Sequence, residues 1–214
     1  MAEKKISTAV IRRMPKYYKY VTQLLESGVT RISSSELARI MGLTASQVRQ
    51  DFNCFGGFGQ QGYGYNVEFL KDEIANILNI NRKNKGIIIG VGNLGRTLIN
   101  NFNFGKCGVE IVCGFDVNVE AVGHKINGVP IFNIDDLETV MKAEKPDVAV
   151  LTLPKKLAKE MTARLIDAGI NGIWNFTNID LHLEFESVPI EDVHFSESLM
   201  TLTYRLKEKQ NEKN

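Results

Sequence analysis

A glycine-rich segment that starts at residue 90 limits the fold of this chain more than any other feature. Glycines stand at positions 90, 92 and 95, in the order Gly-x-Gly-x-x-Gly, directly after an apolar run at 86–90. A continuous apolar run is expected for a parallel strand that is covered on both faces. The glycines then allow a tight turn into a helix and a close approach to phosphate. This order predicts the start of a dinucleotide-binding domain; an ordinary strand-to-helix corner is the alternative.

The residues after this loop favour a dinucleotide. A helix follows, with Leu94, Leu98 and Phe102 at its apolar positions. The next apolar strand, at 109–115, leads to Asp116. An acidic residue about 20 positions after the loop accepts hydrogen bonds from the ribose, and its charge repels a 2′-phosphate. NAD(H) is therefore predicted in preference to NADP(H), with the cofactor-binding residues Gly90, Val91, Gly92, Asn93, Leu94, Gly95 and Asp116.

Beyond Asp116 the chain alternates between apolar strands and amphipathic helices. The predicted strands lie at 130–132, 147–153 and 172–176, and the predicted helices at 136–143 and 157–168. Such alternation is typical of right-handed βαβ units in a doubly wound parallel sheet. Since ligands bind at the carboxyl ends of these strands, Thr152 and Asn175 are predicted to border the nicotinamide side of the cleft.

The residues that precede this domain show short helices separated by glycine. A helix is predicted over 15–27, and Ser33 and Glu36 have capping-box spacing for a second helix. Residues 44–47 repeat this spacing for a third helix, after Gly42 has ended the second. Two short helices joined by a glycine turn predict a helix-turn-helix. A helical hairpin with a solvated outer face is the alternative.

The third helix is predicted to read DNA. Ala45, Val48 and Phe52 share its apolar face, and arginine and glutamine on the opposite face can bond guanine and adenine in the major groove. Residues 1–56 hold nine lysines and arginines against four acidic residues, although the whole chain has a net charge of +1. This asymmetry favours a partner rich in phosphate. The predicted DNA-binding residues here are Arg12, Lys16, Ser46, Gln47, Arg49 and Gln50.

The segment at 55–65 holds five glycines and four aromatic residues. Glycines permit positive φ, and the aromatic residues suit a short hairpin anchored to the core. After a recognition helix this composition predicts the wing of a winged helix, with Gln60 and Gln61 at its tip to contact DNA. A helix over 67–80 is predicted to close the domain, followed by a linker at 81–85.

Composition excludes several classes of protein. No apolar run approaches the roughly 20 residues of a membrane span, and the start of the chain lacks a signal-peptide core, so a cytoplasmic location is expected. The three cysteines form no Cys-x-x-Cys pair, which predicts reduced thiols and no metal site. The histidines, at 124, 182 and 194, stand in no catalytic spacing, and the residues after the linker are barely enough for the cofactor fold, with none left for a substrate domain. This predicts a sensor of the nucleotide; a small NAD-dependent oxidoreductase with a fused helical dimerisation module is the alternative.

A last helix is predicted over about 196–210, and its apolar positions lack an obvious partner within the chain. It packs either on its own sheet or between two protomers, and a symmetric operator would favour the dimer. The apolar stripe consists of Phe195, Leu199, Leu202 and Leu206. The chain is thus predicted to be α/β, with a winged helix-turn-helix domain (1–80), a Rossmann domain (86–193) and a C-terminal dimerisation helix and tail (194–214).

Six motifs together go beyond this pattern. They are ISSSELA (32–38), QVRQDF (47–52), FGGFG (55–59), GYGY (62–65), GVGNLG (90–95) and AGINGIWNF (168–176). Over nearly its whole length the chain resembles the Rex family of redox-sensing transcriptional repressors. The resemblance implies a cytoplasmic homodimer that binds operators of fermentation and respiration genes when NADH is scarce and releases them when NADH rises. It also implies that the terminal helix is exchanged between subunits and packs near the partner's DNA-binding domain.

Two positions differ from the family pattern. Many members have an aspartate just before the terminal helix, where it takes part in the NADH-linked switch, and His194 stands at the aligned position. Where members often have a tyrosine near the nicotinamide, this chain has Phe102. The resemblance therefore adds Phe102 and His194 to the predicted cofactor-binding residues.

Overall fold

The computed structural model describes residues 6–59 and 63–211 of the 214-residue chain. Its contacts divide the chain into two compact units, one ending at Arg82 and the other beginning at Lys83. Each unit has its own hydrophobic core. Within these described ranges, no helix combines the length and the apolar character that a bilayer span requires. Gln60 and Gln61, the predicted tip of the wing, lie outside the described residues.

The N-terminal unit contains helices and one short pair of antiparallel strands. Its elements are α1 (Thr8–Glu26), β1 (Arg31–Ile32), α2 (Ser34–Met41), α3 (Ala45–Asn53), β2 (Tyr65–Asn66) and α4 (Val67–Ile77). The helices α2 and α3 meet at Gly42, which ends α2 with a φ of 67°. They form the predicted helix-turn-helix.

The first helix begins well before the predicted start at Pro15. Ser7 caps it, because its Oγ accepts a hydrogen bond from Val10 N at 3.4 Å. Val10 and Met14 are buried together with Tyr17, so the apolar stripe extends upstream across the proline. A proline within a helix costs about 3 kcal/mol. Burial of this stripe offsets that cost, since each large apolar side chain contributes about 1.5–3 kcal/mol.

Capping determines where α2 and α3 begin. Ser33 Oγ accepts from Glu36 N at 3.1 Å, and Glu36 Oε2 accepts from Ser33 N at 2.9 Å, which confirms the first capping box. Thr44 Oγ1 likewise accepts from Gln47 N at 3.1 Å. The Gln47 side chain, however, bonds to Asp51. The second predicted box is therefore only half formed, because a buried carboxylate competes for the glutamine.

The aromatic and glycine-rich segment after α3 packs on the core of this unit. The Phe52 ring lies 5.5 Å from that of Phe58 and 5.2 Å from that of Tyr65. Gly64 has a φ of 69°, and a Cβ there would stand 2.6 Å from Ile32 O. The strand pairing described for this segment joins Tyr65 to Ile32, which precedes α2. The expected hairpin thus takes its partner strand from outside 55–65.

The C-terminal unit is a seven-stranded sheet with helices between its strands. The strands are β3 (Asn84–Ile89), β4 (Val109–Asp116), β5 (Lys125–Ile126), β6 (Val129–Asn133), β7 (Val148–Leu151), β8 (Gly172–Asn175) and β9 (Ile190–Asp192). The helices are α5 (Asn93–Asn101), α6 (Leu137–Glu144), α7 (Ala158–Asp167) and α8 (Phe195–Asn211). The strand order is β5-β6-β4-β3-β7-β8-β9, and only β5 is antiparallel to its neighbour. The predicted doubly wound parallel sheet is confirmed.

The central strand β3 defines where a ligand can bind. Ile87 pairs with Cys113 of β4 on one side and with Ala149 of β7 on the other. The chain runs outward from β3 through β4 to β6, then crosses back to β7 and continues to β9. The carboxyl ends of β3 and β7 therefore border the topological switch point, where open α/β sheets bind their ligands.

Several boundaries differ from prediction. The strand β3 begins at Asn84, inside the predicted linker, because Asn84 N donates to Gly108 O at 2.9 Å. The strand β7 ends at Leu151, and α4 ends at Ile77, each earlier than expected. The strands β5 and β9, of two and three residues, were not predicted, because so short an element carries no readable period.

The terminal helix α8 matches the predicted span closely. The side chains of its apolar stripe are at least half exposed. The exposed fraction falls from 63% at Phe195 to 50% at Leu206, with Leu199 and Leu202 between these values. The described part of this single chain therefore leaves the stripe uncovered. The Phe195 ring lies 6.0 Å from that of Phe176, but packing on its own sheet, one of the two predicted outcomes, does not cover the stripe.

Candidate functional site

The surface of the helix-turn-helix carries most of the predicted DNA-binding side chains. Ser46, Arg49 and Gln50 are exposed on α3, and Arg12 and Lys16 are exposed on α1. Exposed arginine and amide groups on a second helix are what base recognition in the major groove requires. This face of α3 is therefore available to a ligand.

Arg49 is held by the start of α2. Its Nη1 donates to Ser34 Oγ at 3.0 Å. Beside this pair lies a concavity of about 680 Å³ with a mixed polar and apolar lining, to which Asn53, Gly57 and Gly59 also contribute. Because the guanidinium keeps further N–H groups free of Ser34, it can still form a bidentate contact.

Gln47 differs from the other predicted base contacts. Its Nε2 donates to Asp51 Oδ1 at 2.9 Å, and the residue is only partly exposed. Arg13 donates two hydrogen bonds of 2.7 Å to the same carboxylate, and Tyr17 donates one of 2.9 Å. Gln47 thus helps to hold a buried acid one turn further along its own helix. As a base-reading residue Gln47 is therefore less well disposed than Arg49.

The buried carboxylate of Asp51 ties α3 to α1. Burial by itself raises the pKa of Asp51, but the hydrogen bonds from Arg13, Gln47 and Tyr17 outweigh it and hold the pKa below its ordinary value. Burial, and then the bond to Asp51, raise the pKa of Tyr17. Asp51 is therefore charged and Tyr17 neutral in the folded protein, and the orientation of α3 is fixed by charge-assisted hydrogen bonds.

In the C-terminal unit the glycine loop has the geometry of a phosphate cradle. Gly90 has a φ of 90°, which favours glycine. A Cβ at Gly95 would stand 2.2 Å from Gly90 O, so only glycine permits this approach of helix to strand. At Gly92, by contrast, a Cβ would meet nothing within 4 Å, and no side chain caps the start of α5. The first N–H groups of α5 are thus left for an anion.

Asp116 borders the same loop. Its Oδ2 accepts from Val91 N at 2.5 Å, and its Oδ1 accepts from Val117 N at 2.8 Å and Asn118 N at 2.9 Å. The adjoining cleft has a volume of about 740 Å³, within the ordinary range for small-molecule sites of about 300–1,000 Å³. Its lining includes Gly90, Gly92, Asp116, Thr152, Leu153 and Met161.

Four of the predicted cofactor-binding residues therefore meet in one cleft. They are Gly90, Gly92, Asp116 and Thr152. Thr152 supports the loop as well as lining the cleft, because its Oγ1 donates to Gly90 O at 2.6 Å. Val91 is buried and offers its N–H to Asp116, while Asn93 and Leu94 open α5.

Three other predicted residues lie outside both the glycine loop and the lining of this cleft. Asn175 is fully buried, and its amide donates to Ile179 O and Asp192 Oδ1 and accepts twice from Thr177. These bonds use its whole hydrogen-bonding capacity, so it supports the loop after β8 and has no group left for nicotinamide. The other two are Phe102, whose ring packs against Phe104 and Trp174, and His194, which bonds to Asn178 and Asp180.

Comparison with known proteins finds that both units match proteins of one family. A family model described as a CoA binding domain matches residues 81–179, and one described as a putative DNA-binding protein N-terminus matches residues 5–53. The redox-sensing transcriptional repressor Rex of Clostridioides difficile (strain 630) is 48% identical over 97% of this chain and 99% of its own length. The redox-sensing transcriptional repressor Rex of Clostridium botulinum (strain Alaska E43 / Type E3) is 47% identical over 95% of this chain and 96% of its own length. This chain belongs to the Rex family.

Solved structures agree with this membership. The structure of RSP in complex with beta-NAD+ and operator DNA has a TM-score of 0.89 and 46% identity, and covers 98% of this chain and 96% of its own. That of RSP in complex with beta-NADH has a TM-score of 0.89 and 43% identity, with 97% of both chains covered. The predicted fold class is therefore confirmed, and exchange of the terminal helix stays a prediction. Because Rex proteins are transcriptional repressors, the alternative of a small oxidoreductase is set aside.

The sequence reasoning missed Asp51 and Arg13. Asp51 follows Val48 by three residues on α3, and an acidic residue at such a position lies on the buried face of a helix. That signal was available, because a buried carboxylate requires a cationic or donor partner nearby. Which partner it meets could not be read from the sequence, since Arg13 lies 38 residues away.

Replacing Asp51 with alanine should lower the free energy of unfolding of this Rex protein's N-terminal unit by about 3 kcal/mol, because Arg13 then loses its buried partner. The pKa of Asp51 lies below its unfolded value of about 3.9, so its contribution is complete above that pH and is lost as the pH falls through the folded pKa. Urea unfolding followed by circular dichroism at pH 7 and pH 3 checks this. Exposed Glu26→Gln is the control, and a stability difference that does not shrink at pH 3 would contradict the assignment.

Gly92→Ala and Gly95→Ala should separate the two roles of the glycine loop. An added methyl at Gly92 meets only the space for the ligand, so NADH affinity should fall at least about tenfold, or 1.4 kcal/mol, with unchanged unfolding. At Gly95 the methyl collides with backbone, so stability should also fall, by about 1–3 kcal/mol. Calorimetric NADH titration and urea unfolding measure both. Gly105→Ala, whose Cβ would be 3.4 Å from its nearest neighbour, should change neither.

Proposed function

We propose that this chain is an NADH-responsive transcriptional repressor that binds operator DNA through its N-terminal unit and releases it when NADH occupies its C-terminal unit. One observation carries the proposal: the helix-turn-helix and the glycine-loop cleft belong to a single chain that matches Rex-family RSP over nearly its whole length. RSP was solved with beta-NAD+ and operator DNA, and with beta-NADH. The dinucleotide is accordingly a sensed ligand, and no reaction is assigned to it.

The residues of the cleft fit a dinucleotide. Gly92 leaves the approach to the start of α5 open, and the free N–H groups there suit a pyrophosphate. Asp116 lies where an adenosine ribose is bound in Rossmann domains. Its negative charge favours NAD(H) over NADP(H), because a 2′-phosphate would be repelled. Bound NADH undergoes no reaction in this proposal; its presence in the cleft reports that the NADH concentration is high.

The helix-turn-helix surface fits double-stranded DNA. Arg49, Ser46 and Gln50 are exposed for base and phosphate contacts, and Arg12 and Lys16 extend the basic surface along α1. We infer that Arg49 reads guanine, because Ser34 already orients its guanidinium. Since the relatives are transcriptional repressors and the target of a repressor is DNA, we infer a cytoplasmic location.

The active form is proposed to be a homodimer. The stripe on α8 exposes large apolar side chains, and burying each contributes roughly 1.5–3 kcal/mol. A second copy of this chain would bring a matching apolar stripe to cover this one. Two symmetric half-sites in DNA also require two copies of the recognition helix. The proposed dimerisation segment is therefore 194–214, after a Rossmann domain at 86–193.

Release of DNA requires that NADH prefer the form that does not bind the operator. To move a population from 1:99 to 99:1, a ligand needs about 10⁴-fold, or about 5.5 kcal/mol, of differential affinity. Two NADH molecules in a dimer would share this, so each must distinguish the two forms by about 2.7 kcal/mol. Such a value is in the usual range for allosteric coupling, about 1–3 kcal/mol.

Two substitutions should break the two halves of this function separately. Arg49→Ala should weaken operator binding by about 1–3 kcal/mol and leave NADH affinity unchanged. Asp116→Asn should leave operator affinity unchanged but weaken NADH binding and reduce its preference over NADPH, because the charge is lost. Fluorescence anisotropy with the operator duplex of the RSP complex, titrated with NADH, NAD⁺ or NADPH, measures all of these. If NADH leaves wild-type operator binding unaltered, the proposed function is wrong.

Removal of α8 should abolish the dimer. A chain that ends at His194 should sediment as a monomer, and operator affinity should fall steeply because one recognition helix covers only one half-site. Leu199→Glu with Leu206→Glu tests the same surface while keeping the helix. Lys207→Glu, on the same helix, is the matched control. A truncated chain that remains dimeric would refute the assignment of this stripe to a subunit interface.

A further inference from the structure

A cluster of ligating side chains lies in the segment between β8 and α8, outside the nucleotide cleft. We call Asp180, His182 and Asp192 the 180–192 cluster. Asp180 and His182 flank the start of the short 3-10 helix Leu181–Leu183, and Asp192 ends β9. We propose that the 180–192 cluster binds a divalent transition-metal ion of the zinc class, a departure from the expectation of no metal site.

The spacing of the ligand atoms is close to what one ion requires. One carboxylate oxygen of each aspartate and one imidazole nitrogen of His182 all lie within 4.8 Å of one another. Zinc binds such atoms at about 2.0–2.2 Å in tetrahedral geometry, so two of its ligand atoms are about 3.3–3.6 Å apart. A shift of about 1 Å in the ligand atoms of the exposed side chains therefore completes the geometry.

One ligand is fixed and the other two are adjustable. The Asp192 side chain is only 5% exposed, whereas those of Asp180 and His182 are 57% and 50% exposed. Asn175 Nδ2 donates to Asp192 Oδ1 at 2.6 Å, which leaves Oδ2 directed at His182. A hydrogen-bonded ligand carboxylate is the usual second shell of a metal site. The rotation needed for binding thus falls on side chains that are free to move.

The neighbouring charges favour a cation. Among the described residues, the ion-pair partner of Asp192 is His182 and that of Asp180 is His194, and neither carboxylate is paired with a lysine or arginine. His194 Nε2 lies 3.0 Å from Asp180 Oδ1 and holds that carboxylate beside the cluster. Two carboxylates at one place thus lack a permanently positive partner, which a divalent ion would supply.

The mixture of donors selects the class of ion. Calcium and magnesium prefer sites built from oxygen alone, whereas imidazole suits zinc, nickel and copper. For binding through Nδ1, His182 carries its proton on Nε2, and the Nδ1 contact with Asp192 is replaced by coordination of both atoms to the ion. The remaining positions on the ion are left for water, as in an open site.

The test is calorimetric titration of the full-length, EDTA-treated protein with zinc chloride, in a background of Cys54→Ser and Cys107→Ser that removes the exposed thiols. We expect saturation at one zinc per chain and no binding of magnesium. Changing a second-shell residue typically costs about 10–100-fold in affinity, so His182→Ala and Asp180→Ala, which remove ligands, should each weaken zinc binding at least about tenfold. His124→Ala, which removes an exposed histidine elsewhere, should have no effect.

Cobalt supplies an independent readout. Titration with cobalt chloride should produce a visible absorption band that saturates at one ion per chain and disappears in His182→Ala. Urea unfolding of the variants checks that they are folded. Absence of saturable zinc binding, or equal affinity in wild type and His182→Ala, would overturn the proposal without touching the assignment of NADH or operator DNA.

Discussion

The Rossmann unit depends on one close approach between two stretches of backbone. Gly95, in the first turn of α5, lies so near Gly90 O that a Cβ would stand only 2.2 Å away. Thr152 closes the same corner by donating to that carbonyl at 2.6 Å. Since the loop is thus fixed between β3 and β7, Val91 N meets Asp116 and α5 starts at the switch point of the sheet. The shape of the nucleotide cleft follows from this contact.

Each unit also uses a carboxylate to hold the part that meets a ligand. Asp51 accepts hydrogen bonds from Arg13, Gln47 and Tyr17 and so fixes the recognition helix α3. Asp116 accepts from backbone N–H groups, chief among them Val91, and so fixes the glycine loop. Both ligand-binding elements are therefore ordered in the free chain, which lowers the entropy lost on binding.

The C-terminal segment begins in a network of hydrogen bonds and ends in a helix whose apolar side chains are exposed. Asn175 and Asp192 join β8, β9 and the loop between them through partly buried hydrogen bonds. The helix α8 leaves from the end of this network with its apolar stripe exposed. A helix with a fixed start and a bare apolar face suits packing against a second copy, and the 180–192 cluster lies at the point from which it departs.

The sequence alone determined the features that depend on near neighbours: the strand, loop and helix around Gly90, the capping box at Ser33, and the end of α2 at Gly42. These depend on backbone conformation and on bonds across three or four residues, so spacing reveals them. Only the tertiary structure decided that Asp51 meets Arg13 and Tyr17 and that Asn175 bonds to Asp192. Periodicity indicates which face of an element a side chain lies on. It does not indicate which of several possible acceptors that side chain meets, because the acceptor's position is set by how distant segments pack.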